Sequence, residues 1–234
     1  MHQNGTGYRA KTRFAKFYNL PELMSMFKEV ADIQTAETLK LPVPKANFKT
    51  IAVKPSEIQR EMVADSGKRA DAIRKKEVDS KTDNMLKITN EGRKLALDQR
   101  LLNDMLGDFE GSKVNICANN VYEIWERTAE KKSTQLVFCD LSTPNNEGKF
   151  NVYDDLKEKL INKGIPENEI SFIHEANTET RKKELFAKVR KGDVRVLIGS
   201  TAKMGAGTNV QNKIIALHHL DCPWRPADLT QRNR

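Results

Sequence analysis

The sequence is poor in the residues that mark several specialised chemistries. Only three cysteines, Cys117, Cys139 and Cys222, occur in 234 residues. They are odd in number, widely spaced and without a C-x-x-C pair, so neither a disulfide framework nor a zinc site is expected, and a reducing compartment fits. No apolar run approaches the roughly 18 residues of a membrane-spanning helix. The opening "MHQNGTGYRAK" has no apolar signal core, so secretion is not indicated and a cytoplasmic location is expected. No repeat or low-complexity tract is apparent. The phosphate loop G-x-x-x-x-G-K-[ST] is missing too. Its nearest approximation, "GTGYRAKT", has Ala10 where the second glycine must stand. An acidic D-E-x-H or D-E-x-D magnesium motif is also absent, so no complete ATPase engine is visible.

What is present is charge. Lysine and arginine number 40 against 32 acidic residues, a net charge of +8. That excess favours an anionic partner such as nucleic acid. Hydrophobic residues at 38% still allow a core beneath a heavily solvated surface.

The rhythm of the chain changes near residue 115. Before it the pattern is mainly helical: "LPELMSMFKEVADIQTAETL" carries Leu23, Met26, Phe27, Val30 and Ile33 at helical spacing. "FKTIAV" predicts a short strand, Ser56 and Glu57 open a second helix, and residues 85–106 form a third periodic stretch. "YRAKTRFAKFYN" mixes cations with rings, which suits either nucleic acid or an amphipathic helix. Beyond 115, helix and strand alternate. "TQLVFCDL", "ISFIHE", "VRVLIGS" and "IIALHHL" read as strands. Helical patterns lie between them, one ending at Gly164 and one running from Asn177 or Thr178 to Gly192. This predicts an α/β fold with a parallel sheet covered by helices, and ligands beyond the carboxyl ends of the strands.

Two segments carry candidate chemistry. In "GSTAKMGAGTNVQ", Ser200 and Thr201 close a strand with two hydroxyls and Lys203 adds a cation. Gly205 and Gly207 permit close backbone approach, and Asn209 tolerates unusual backbone angles; a turn that needs glycine for shape alone is the alternative. In "DCPWRPADLTQRNR", Asp221, Trp224 and Gln231 lie where a strand hands over to a helix. Trp224 suits covering a nucleotide or strand, and equally suits packing. His218 and His219 are adjacent on a strand and point to opposite faces, so a shared metal is not expected. His174 is a further histidine at a strand end.

In order and spacing these segments resemble motifs V and VI of superfamily 2 helicases, especially the SNF2-like branch of phages and mobile elements, often fused to a DNA methylase. The matching positions are Ser200, Thr201, Gly205, Gly207, Asn209, Val210, Asp221, Trp224, Pro226 and Gln231. "TQLVFCDLST" looks like motif IV, and Arg181 stands at the usual arginine of the helix that follows. The resemblance implies the second of two RecA-like lobes over residues 113–234, led by a helical segment over 1–112. It implies ATP and Mg²⁺ held mainly by a first lobe of the same protein, a DNA contact through Ser200, Thr201 and Lys203, and motif V residues Gly205, Gly207 and Asn209 beside the nucleotide. Gln231 would face ATP, with Arg232 and Arg234 as the charge-stabilising arginines. No transition metal and no membrane partner are implied. Two departures stand out. Met204 replaces a glycine common in the pattern. Arginines are expected four and seven residues after the glutamine, whereas Arg232, Asn233 and Arg234 directly follow Gln231. Either a cut inside the motif or a one-residue deletion displacing Arg234 is expected. Such a chain should not hydrolyse ATP alone. The alternative is a DNA- or protein-binding module on a RecA-like scaffold.

Overall fold

The run "TQLVF" becomes strand β3, Thr134–Phe138, buried along its whole length. In the computed structural model it is central. β4 (Ile170–Phe172), β5 (Val196–Gly199) and β6 (Ile214–His219) join it in the order β4-β5-β3-β6, every pairing parallel. The structure describes residues 2–3, 8–9, 18–34, 39, 46–144, 148–204 and 210–233. The chain forms two compact units, Met1–Ala52 and Val53–Arg234.

Alternation of side chains sorts the sheet into two cores. Val137, Cys139, Val196 and Ile198 face one side and meet helices α4 (Lys113–Arg127) and α5 (Val152–Asn162) through Val114, Cys117, Val121, Leu156 and Leu160. Leu136, Phe138 and Leu197 face the other side and meet α6 (Glu179–Lys191) through Val189, Leu185 and Phe186. Both faces are therefore covered, which explains why the strands read as continuous apolar runs rather than alternating ones. The α/β layout with a four-stranded parallel sheet, consistent with a RecA-like lobe, is as the sequence predicts.

Residues 53–112, the later part of the helical segment, belong to the same unit as the sheet. α2 (Glu57–Arg74) starts at Ser56 with a capping box: the Ser56 hydroxyl accepts from Gln59 N, and Gln59 Oε1 accepts from Ser56 N. The Ser56 hydroxyl also donates to Gln99 Oε1, and Gln59 Nε2 donates to Leu95 O, so the cap docks α2 onto α3 (Met85–Leu97). The periodic stretch over 85–106 ends early, at Asp98, whose carboxylate caps the short turn Gln99–Leu101 instead. Arg100 then bonds both Asp98 and Asp155 and lies 4.1 Å over the Phe150 ring, locking this segment to α5. Within α2, Arg69 is paired with Asp83 and Glu91.

Two expected elements differ. Residues 48–53 form no strand: Phe48 and Ile51 are exposed, and no strand among the described residues pairs with them. β4 stops at Phe172 and the chain turns at once through Ile173–Glu175. In the first unit, α1 (Leu20–Val30) is shorter than its apolar pattern and buries none of its residues. His2–Gln3 (β1) and Tyr8–Arg9 (β2) pair antiparallel, and most of the mixed cation–ring stretch, residues 10–17, lies outside the described residues.

Candidate functional site

Three parallel strands end at one rim. β3 leads to Asp140, β5 to Ser200 and Thr201, and β6 to Leu220 and Asp221. Open α/β sheets bind ligands on this side. Asp221 Oδ2 accepts from the backbone N–H groups of Asp140 and Leu141 at 2.5 and 2.8 Å. Asp140 in turn accepts from Thr201, at 2.7 Å from its N–H and 2.7 Å from its hydroxyl. Each loop is thus bonded to the next.

Arg232, from the last helix α8 (Pro226–Arg232), closes the cluster from within; its side chain is 0% exposed. Nε donates to Thr201 Oγ1 at 2.7 Å. Nη1 donates to Asp221 O at 2.9 Å and approaches His219 Nδ1 at 3.5 Å. Nη2 donates to Asp140 Oδ2 at 2.7 Å and Asp221 Oδ1 at 3.1 Å. The five N–H donors of a guanidinium are all directed inward. The Phe138 ring lies 5.2 Å from the guanidinium carbon. Burial pushes the Asp140 carboxyl up, but the bonds from Thr201 and Arg232 outweigh it, and the carboxyl lies below the usual aspartate range.

The two histidines take opposite faces, as the strand geometry predicts. His218 Nε2 meets Gln135 Oε1 at 2.9 Å, and Gln135 Nε2 donates to Val121 O. His219 stacks on Phe138 and meets Asn233 Oδ1 at 2.9 Å. Burial lowers the His218 pKa to about 4, with His219 adding to the effect. His174 sits edge-on to Tyr153, and burial, then Lys203, lowers its pKa. Among the described residues no group of histidine, cysteine or carboxylate side chains could hold a metal. The rim carboxylates Asp140 and Asp221 are both bonded to Arg232, so they do not fit a magnesium site. The cysteines are free, with Cys117 and Cys139 buried and Cys222 exposed.

The sequence-predicted residues fall into three groups. Ser200 is buried, and the Thr201 hydroxyl is engaged by Asp140 and Arg232, so neither stands as an open phosphate contact. Lys203, on the four-residue helix α7 (Thr201–Met204), and Gln231 are exposed. Gly205, Gly207, Asn209 and Arg234 lie outside the described residues. Met204, in place of the expected glycine, is buried against Gly199 and fills the second core. Asp140 was missed as a site residue although a signal existed, because a carboxylate closing a buried parallel strand must sit at the rim. A cavity of about 480 Å³ lies elsewhere, between α2 and α3, lined by Glu61, Asp65 and Glu91 among others. Its three carboxylates outnumber its one cation, Arg69, which is already paired with Glu91, so the lining does not suit a phosphate. No helix among the described residues is long and apolar enough to cross a membrane. The chain matches no protein-family model and no curated protein.

Proposed function

We propose that this chain is the C-terminal RecA-like lobe of an SNF2-like, ATP-dependent DNA helicase or translocase. One observation carries the reading: Arg232 joins the segments after β3, β5 and β6 into a single cluster at the ligand-binding rim. These are the segments that resemble motifs IV, V and VI. A cluster of this kind makes the segment that would touch DNA and the segment that would face ATP move together. Lys203, Gln231 and Trp224 are exposed around it and supply the outward-facing groups. ATP and Mg²⁺ would be held mainly by a first lobe, with Gln231 facing the nucleotide. Arg232 holds the rim together in this arrangement and reaches a phosphate only after its bonds to Asp140 and Asp221 open.

A second reading, a non-enzymatic DNA- or protein-binding module, is favoured by that same inward direction of every Arg232 donor. DNA-stimulated ATP hydrolysis distinguishes the two. The chain alone should turn over no ATP, and the chain extended through its upstream reading frame should hydrolyse ATP faster with DNA. Robust turnover by the chain alone overturns the half-site reading, and an inactive extended protein that still binds DNA supports the binding module.

A further inference from the structure

The loop between β6 and α8 reads "CPWRP", and its tryptophan stands out from the surface. Trp224 is 64% exposed, a wasteful position for a ring that gains most from burial. Its backbone is bracketed by Pro223 and Pro226, which restrict the chain on both sides. Arg225, next to it, is turned away into an ion pair with Asp228 at 3.1 Å. The residue that engages the ring comes from a distant element. Arg93, on α3, places its guanidinium carbon 4.3 Å from the Trp224 ring centroid. Its Nη2 donates to Cys222 O, in the same loop, at 2.5 Å. One side chain thus holds both the loop's backbone and the ring.

We infer that Arg93 is a positioning residue that holds Trp224 outward as a stacking platform for DNA. The inference rests on the DNA-binding reading above. Stacking on an aromatic ring is tolerant of sequence, and a neighbouring cation adds attraction for the backbone. A ring already fixed by two prolines and a stacked guanidinium loses little freedom when a base or sugar lies against its open face. The arrangement also ties the helical segment to the rim, because α3 reaches the loop through Arg93. Lysine is a poor replacement: it lacks the flat surface that lies on the ring and the fork that reaches Cys222 O at the same time.

The chain holds two tryptophans, and Trp125 is anchored elsewhere, its Nε1 donating to Glu169 at 2.6 Å. Labelling with 5-fluorotryptophan therefore gives two ¹⁹F resonances, assigned by Trp224→Phe. Without DNA, Arg93→Ala should move the Trp224 resonance and leave that of Trp125 in place. Titration with a fluorescent duplex carrying a single-stranded overhang, whose unpaired bases can reach the ring, should move the Trp224 resonance of the parent chain. Arg93→Ala should weaken duplex binding about two- to fivefold, the range of an exposed cation–π contact, and Arg93→Lys should restore only part of it. In a Trp224→Ala background, Arg93→Ala should add little. An unmoved Trp224 resonance in Arg93→Ala overturns the positioning role. A resonance that moves with Arg93→Ala while DNA leaves it unchanged overturns the platform alone. A parent chain that binds no duplex overturns the DNA-binding reading and the platform with it.

Discussion

At the scale of single residues, Arg232 shows how strongly surroundings set a side chain's part. Removing it leaves the Asp140 and Asp221 carboxylates at the rim without their shared cation. Arg232→Ala should destabilise the fold by about 3–5 kcal/mol, the usual cost of breaking a buried pair by deleting one partner. Arg232→Lys should recover little, since one ammonium cannot reach Thr201, Asp140 and the Asp221 carbonyl together. Urea denaturation checks both. His218 sets the acid side of stability. Its folded pKa, about 4, lies below the unfolded value, so the unfolded chain binds the proton first. Stability should therefore fall as pH drops from about 6.5 to about 4, by at most about 1.4 kcal/mol per pH unit from this group. His219 and His174 shift in the same direction and add to the slope. His218→Gln should flatten the slope without abolishing it, measured by urea melts across that window. At still lower pH the Asp140 contribution is lost in its turn, because its folded pKa is the depressed one.

At the scale of elements, the informative positions are ends. Gly192 closes α6 with φ 84°, and a Cβ there would stand 2.5 Å from Lys132 O. Gly164 follows α5 with φ 108° and meets open space. Gly164→Ala should cost only the strain of the left-handed backbone, about 1–2 kcal/mol, and Gly192→Ala should cost more because a backbone atom blocks it. Thermal melts of the pair compare the two effects directly. These ends were legible because caps are local: Ser56, Thr178 and Gly192 announce helices within a few residues. Four apolar runs separated by helical patterns likewise revealed the parallel sheet. The rim was less legible. Asp221 and Thr201 stood out through their spacing, but Asp140 meets Arg232 across 92 residues, and Arg93 meets Cys222 across 129. The end of an apolar strand places Asp140 at the rim, but no local pattern links a charged residue to a partner that distant. The false strand over 48–53 failed for the converse reason: its apolar residues are real, but no strand among the described residues pairs with them.

At the scale of the whole molecule, net charge and edges set behaviour. On the proposed DNA-binding reading, a chain of +8 should lose DNA affinity steeply as salt rises. Lys203→Ala should weaken binding evenly across sequences and lower the magnitude of the log–log salt slope by about 1, read by anisotropy titrations at several salt concentrations. An unchanged slope would remove Lys203 from the contact. The sheet has its own consequence for how the protein must be handled. β6 pairs only with β3 among the described strands, and Ile215 on it is exposed. A row of amides and carbonyls that no described strand pairs, beside an apolar side chain, invites a second strand. Concentrated solutions should scatter light in a time-dependent way, and Ile215→Lys should keep them clear, because a charge on an open edge turns a neighbouring chain away.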